Sequence, residues 1–178
     1  METIRVKDKL FERLIPARKI AERVTSLAAE INRDYAGLEP IFIPVLNGSF
    51  IFAADLLRQI DLPCQVSFVK LASYEGMSST GNVIDAIGLN MDIAGRHVII
   101  VEDIVDTGNT MAHTIEALNR CNPASLSICT LLTKPDRLLA DVEVQYCAFS
   151  IPNEFIVGYG LDYDGFGRNL NDIFIVAD

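Results

Sequence analysis

No apolar run in this sequence reaches the roughly 20 residues needed to cross a bilayer. The most apolar stretch, Ile41 to Leu57, is broken by Pro44, Asn47, Gly48 and Asp55. The stretch Met1 to Lys19 carries charge throughout and lacks the apolar region of a signal peptide, so a cytoplasmic location is expected. Cysteine chemistry is also sparse. Cys64, Cys121, Cys129 and Cys147 form no CxxC pair and have no histidine ligands nearby, which leaves isolated buried thiols rather than a zinc site or a disulfide framework. The two histidines, His97 and His113, stand apart and read as surface or packing residues. Basic excess is missing as well: the net charge of −9 argues against non-specific affinity for nucleic acid. It leaves a small phosphorylated substrate open, because an acidic site binds polyphosphate when a divalent cation accompanies it. No repeat, low-complexity tract or long Pro/Gly/Ser-rich linker divides the chain, so one domain over residues 1–178 is expected.

What is present is an alternation of short apolar runs and amphipathic stretches. Pro16 opens a helix with Ile20, Val24, Leu27, Ala28 and Ile31 on one face, ending near Gly37. Pro40 to Leu46 reads as a buried strand, Asn47-Gly48-Ser49 as a turn, and Phe50 to about Ile60 as a second helix. Cys64 to Tyr74 reads as a strand, Glu75 to Asn82 as a loop of small polar residues, and Val83 to Leu89 as a candidate returning strand. His97–Val101 is a β-branched strand, followed by a helix from Thr110 to Cys121. Ser125–Leu132, Val144–Ile151 and Ile173–Val176 complete the strands. This pattern predicts an α/β domain with a mostly parallel sheet, whose ligands bind beyond the carboxyl ends of the strands.

The strand His97–Val101 runs directly into Glu102 and Asp103, with Asp106 three residues later. Two unit charges about 4 Å apart repel by roughly 4 kcal/mol at an effective dielectric near 20. Such neighbours call for a cation, a ligand hydroxyl or solvent, and a solvated acidic turn is the bland alternative. Thr107-Gly108-Asn109-Thr110 then leads into a helix, so free backbone N–H groups and the positive end of the helix dipole face the same space as the hydroxyls. The same residues would also serve as an ordinary N-cap. Neither GxxxxGK[ST] nor GxGxxG occurs in the chain. Vicinal acids able to hold ribose hydroxyls, beside a turn able to hold a phosphate, fit a ribose 5-phosphate.

The segment Val98–Met111, VIIVEDIVDTGNTM, resembles the 5-phosphoribosyl-1-pyrophosphate (PRPP) motif of type I phosphoribosyltransferases, with the nearest likeness to the hypoxanthine–guanine phosphoribosyltransferase family, and the likeness extends over nearly the whole chain. The resemblance implies that family's fold: a mostly parallel central sheet flanked by helices, with a small hood formed by the terminal segments. It implies that Glu102, Asp103, Asp106, Thr107, Gly108, Asn109 and Thr110 bind the ribose phosphate, with Asp106 as general base. Leu46-Asn47-Gly48 resembles the pyrophosphate loop, which in the family carries a cis peptide after the leucine. Asn47 stands where many relatives have a basic residue, which leaves pyrophosphate contact there to backbone N–H groups and metal. Ser73 and Tyr74, ahead of Glu75–Gly81, resemble the mobile lid. Lys134 matches the lysine that donates to the exocyclic oxygen of a 6-oxopurine, and Phe155-Ile156 the purine-stacking segment. Asp162 matches a residue that serves purine and second magnesium, and Arg168 a pyrophosphate contact. Glu102, Asp103 and Asp162 are the implied metal ligands, for Mg2+.

The implied activity is reversible transfer of the 5-phosphoribosyl group from PRPP to N9 of hypoxanthine or guanine, giving IMP or GMP and pyrophosphate in purine salvage. The implied assembly is a homodimer or homotetramer, with no nucleic acid and no membrane partner. Two alternatives stay open at this level: a phosphoribosyltransferase preferring xanthine or another base, and a non-catalytic PRPP- or nucleotide-binding regulator of the same fold.

Overall fold

The computed structural model describes residues 2–70 and 88–177. Helix α1 (Ala17–Asp34) buries the expected face, Ile20, Val24, Leu27, Ala28 and Ile31, at the 3.6-residue spacing that sets an apolar stripe. Pro16 is its N-cap, and a distant carboxylate satisfies the exposed helix end: Ala17 N donates to Asp172 Oδ1 at 2.6 Å. The helix stops at Asp34, one turn before Gly37.

Strand β3 (Ile41–Leu46) is buried along almost its whole length, as a strand covered on both faces must be. Helix α2 (Phe50–Leu57) follows it. The expected strand Cys64–Tyr74 is instead two dipeptides, β4 (Gln65–Val66) and β5 (Val69–Lys70), both parallel to β3. Residues 71–74, and most of the candidate strand Val83–Leu89, lie outside the described residues.

Strand β6 (His97–Val105) pairs in parallel with β3 on one side and with β7 (Ser125–Thr133) on the other; β7 in turn pairs with β8 (Tyr146–Ser150). The sheet order β4-β3-β6-β7-β8 is parallel throughout, with helix α3 (Asn109–Asn119) following β6. Strand β6 runs four residues past Val101, the expected end. Its pairing continues through Glu102↔Thr130, Ile104↔Leu132 and Val105↔Thr133, so the ladder with β7 holds the backbone extended even where the side chains become acidic. Glu102 and Asp103 are therefore strand residues, not loop residues.

A second, antiparallel sheet joins the chain ends. Its order is β1 (Thr3–Val6), β2 (Lys9–Ile15), β10 (Ile173–Val176), β9 (Ile156–Val157). The N-terminal hairpin was hidden by its charge, since Lys9 and Arg13 are exposed on the same strand that buries Phe11 and Ile15. One hydrophobic core continues from Ile15 and Ile173 in this hood to Leu27 and Ile31 of α1 and to Val101 and Leu131 of the main sheet. All four cysteines are free, but only Cys129 is fully buried; burial pushes its thiol up. No helix among the described residues is long and apolar enough to cross a membrane.

Candidate active site

The carboxyl ends of β3, β6 and β7 lie side by side, and register decides which side chains meet there. Val105 is level with Thr133, so the next residues, Asp106 and Lys134, emerge as neighbours. Lys134 N donates to Val105 O at 3.2 Å, and Lys134 Nζ stands 3.5 Å from Asp106 Oδ2. The lysine side chain is only 9% exposed, and an ammonium so enclosed needs a partner; the carboxylate supplies it. A third charged residue joins them. Pro135–Arg137 forms a single 3-10 turn, and Arg137 Nε lies 3.0 Å from Asp106 Oδ1. Arg137 escaped the sequence reading, although Lys134-Pro135-Asp136-Arg137 carries a usable signal: residues three apart in a 3-10 turn point the same way.

Beyond Asp106 the chain turns through Thr107 and Gly108 into α3. Gly108 is the N-cap with φ +81, and a Cβ there would come within 2.9 Å of Leu138 Cδ1, so only glycine fits this turn without strain. Gly108 has no side chain with which to cap the helix. Thr107 Oγ1 instead accepts from Asn109 N at 3.4 Å, and Asn109 and Thr110 are exposed. Capping by Thr107 thus reaches Asn109 N only, and the rest of the first turn of α3 borders a hollow of about 90 Å³ lined by Glu102, Ile104 to Gly108, Thr110 and Met111.

The two vicinal acids part company. Glu102 lines this hollow while almost wholly buried; burial first, and the neighbouring Asp103 charge second, push its carboxyl well above the ordinary carboxylate range. Its Oε1 accepts from Asp103 N at 3.0 Å, and Asp103 Oδ1 accepts from Ile104 N at 2.7 Å. The other carboxylate oxygen of Asp103 fills the space where a side chain on Gly48 would stand.

Gly48 belongs to the turn between β3 and α2, and the Leu46–Asn47 peptide ahead of it is cis. Asn47 is exposed, and Ser49 behind it is buried and donates to Val45 O at 2.5 Å. A Cβ on Gly160 would overlap the Gly48 carbonyl, so the β3–α2 turn and the 158–161 turn touch backbone to backbone. Arg168 completes the group: it donates to Gly160 O at 2.6 Å and pairs with Asp162 at 2.7 Å, while Asp162 also accepts from Gly165 N at 2.6 Å. Gly48, Asp103, Gly160, Asp162 and Arg168, which span 120 residues of sequence from Gly48 to Arg168, therefore converge on one spot. Among the described residues no group of three or more His, Cys, Asp or Glu is placed to hold a metal by itself; Glu102, Asp103 and Asp162 do not gather into one.

On the hood side Phe155 is 43% exposed, its ring against Phe11 and Tyr163 at centroid distances of 6.3 and 5.6 Å. Ile156 is buried in β9, paired with Ile175. Lys9 Nζ also lies over the Phe155 ring, 5.9 Å from its centroid. Ser73 and Tyr74 lie outside the described residues.

The phosphoribosyl transferase domain family matches residues 12–164. The chain is 46% identical over 155 residues to the hypoxanthine phosphoribosyltransferase of Salmonella typhimurium, covering 85% of this chain and 87% of that one. It is 40% identical over 166 residues to the hypoxanthine-guanine phosphoribosyltransferase of Streptococcus pneumoniae, covering 93% and 92%. The solved structure of a hypoxanthine-guanine phosphoribosyltransferase from Bacillus anthracis superposes with a TM-score of 0.84 at 39% identity, covering 93% of this chain and 97% of that one. With a hollow at the carboxyl end of β6 and this extent of likeness, the chain belongs to the hypoxanthine(-guanine) phosphoribosyltransferases of the phosphoribosyl transferase domain family.

Proposed function

We infer that this chain is a purine-salvage enzyme that transfers the 5-phosphoribosyl group of PRPP reversibly to N9 of hypoxanthine and also guanine, releasing pyrophosphate. The observation that carries the choice of base is the 3.5 Å approach of Lys134 Nζ to Asp106 Oδ2. A donor beside an acceptor matches one edge of a 6-oxopurine, whose exocyclic oxygen accepts and whose N7–H donates. Adenine would turn an amino group toward the lysine, donor against donor, and be disfavoured.

In this reading the 5-phosphate sits in the hollow at Asp106 to Thr110, held by the N–H groups of the first turn of α3. Glu102, on the wall of that hollow, and Asp103, beside the Gly48 turn, would bracket the ribose hydroxyls between the two phosphate positions. Pyrophosphate would lie against Leu46-Asn47-Gly48, with Arg168 turning from Asp162 toward the departing charge. Asp106 would take the N7 proton as N9 attacks a ribose carbon of oxocarbenium character. Phe155 would cover one face of the base. Ser73 and Tyr74 would close over the site and exclude water.

The donor set fits Mg2+. That ion is satisfied by one or two protein carboxylates with substrate oxygens and water, and the scattered carboxylates Glu102, Asp103 and Asp162 offer that and no closed cage. When bound, the metal would neutralise charge on the pyrophosphate. We further take residues 1–178 as a single catalytic domain, cytoplasmic, and assembled as a homodimer or homotetramer.

The test is pyrophosphate release from PRPP and magnesium with hypoxanthine, guanine, xanthine, adenine and uracil in turn. Turnover with hypoxanthine, and with guanine, is expected. Turnover confined to adenine or uracil would overturn the assignment of Lys134, and silence with every base would favour a nucleotide-binding regulator.

A further inference from the structure

Asp106 carries two oxygens with different surroundings. Oδ2 faces Lys134 at 3.5 Å. Oδ1 is fully enclosed and has no aligned hydrogen bond among the described residues, although Arg137 Nε lies 3.0 Å away. A buried carboxylate oxygen without a hydrogen bond is costly, and the charge of Arg137 is what offsets it here. Arg137 itself is anchored on both sides. Its backbone N–H donates to Lys134 O at 2.9 Å, and its Nη1 approaches Asn153 Oδ1 at 3.4 Å. The residues after it wrap the phosphate turn, since Leu139 N and Ala140 N both donate to Thr107 O, at 2.9 and 3.2 Å. Neither Arg137 nor its partner Asn153 belongs to the residues assigned to PRPP or purine above.

We propose that Arg137 is a positioning residue for the transfer step, holding Oδ1 of Asp106 so that Oδ2 faces the purine N7 and Lys134 stays free to donate to the exocyclic oxygen. The proposal rests on Asp106 acting as the base. Without Arg137 the carboxylate turns about its Cβ–Cγ bond, both oxygens compete for Lys134, and the lysine is drawn into a closed ion pair instead of toward the substrate. A residue at 42% side-chain exposure contributes little to folding through such a pair, so its loss is expected in turnover.

The experiment is a cycle of Arg137→Ala, Asp106→Asn and the double variant, each assayed for kcat and KM with hypoxanthine and PRPP and for its unfolding midpoint. Arg137→Ala is expected to lower kcat by about 10- to 100-fold, the scale of a misplaced reacting group, with KM for PRPP changed less than about twofold. In the Asp106→Asn background the same substitution is expected to cost nothing more. Arg137→Gln, which keeps bulk and loses charge, should repeat the result if the alanine variant unfolds. Losses that multiply in the double variant, or a rise in KM for PRPP in place of a fall in kcat, would mean that Arg137 acts independently of Asp106 and would overturn the proposal. So would wild-type turnover of Arg137→Ala beside a slow Asp106→Asn. Wild-type turnover of Asp106→Asn would instead remove the base on which the proposal stands.

Discussion

The two ends of the parallel sheet are built from the same strands and behave as opposites. At the amino ends of β6 and β7, polar groups satisfy one another. Tyr35 donates to Ser127 Oγ at 2.9 Å, His97 Nδ1 meets Ser125 Oγ at 2.8 Å, the His97 ring lies edge-on to Tyr35, and Arg96 bonds Gln65 and Glu39 O. At the carboxyl ends, Glu102 is buried with its carboxyl pushed up, Asp106 Oδ1 has no aligned hydrogen bond among the described residues, and helix N–H groups open on a hollow. One end is closed by its own side chains; the other keeps carboxyl groups beside a hollow. Parallel strands make this difference systematic, because every strand delivers its following loop, and the start of the next helix, to the same edge.

The comparison can be broken most severely at Gly160. Its φ of +104 is closed to side chains, and a Cβ would strike the Gly48 carbonyl, which no rotamer change relieves. Gly160→Ala is expected to cut turnover by about 100-fold or more through displacement of the turn between β3 and α2, to which the proposed function gives the pyrophosphate, measured as steady-state kcat/KM. If activity survived unchanged, the backbone contact between the two turns would have no part in catalysis. Next comes Arg168→Gln. It removes the cation from the Asp162 pair and from Gly160 O, and a loss of about 10-fold or more in kcat/KM for PRPP is expected, on the scale of a lost charged contact. An unaltered inhibition constant for pyrophosphate in this variant would exclude Arg168 from that subsite.

Glu102→Gln sharpens the contrast by separating stability from activity. The folded pKa of Glu102 lies above the ordinary value of 4.5, so the native state binds its proton more tightly than the unfolded state does. The cost of ionising it is absent below the ordinary value and grows as pH rises from there toward the folded value. The ligand-free variant should therefore unfold at a higher temperature than wild type, with a larger gain at pH 8 than at pH 5, while turnover falls. A gain that did not depend on pH would refute this cause. The smallest effect is expected at the closed end. Tyr35→Phe leaves the Ser127 hydroxyl without its donor and should cost about 1 kcal/mol, roughly 2–4 °C in unfolding midpoint, with kcat unchanged. A matching drop in kcat would show that the two ends are coupled.

Where the sequence could be read and where it could not follows from the range of the forces involved. Helix α1 was legible residue by residue because its apolar face repeats within one element. The hairpin β1–β2 was not, because its strands are rich in charge and bury Phe11 largely against Val157, Phe174 and the rings of Phe155 and Tyr163 from the far end of the chain. Strand β6 was expected to end at Val101, since acids normally leave a strand; pairing with β7 carried it to Val105, and that extension is what sets Asp106 level with Lys134. Arg137 was passed over because the 3-10 turn that sets it beside Lys134 does not say which carboxylate it meets; register between β6 and β7 decides that.

The chain by itself determined helix α1, the buried strand β3, the turn at Asp106 to Thr110 and the need of Glu102 and Asp103 for partners, because those follow from periodicity, glycine and local charge. Tertiary structure alone decided which acid faces which subsite. Glu102 turned to the hollow, Asp103 to Gly48, and Asp106 to a cation pair drawn from β7 and the turn after it. Those outcomes depend on register between strand residues 57 apart, as Ile41 and Val98, or 28 apart, as His97 and Ser125, and register is fixed by the whole sheet rather than by any segment of it.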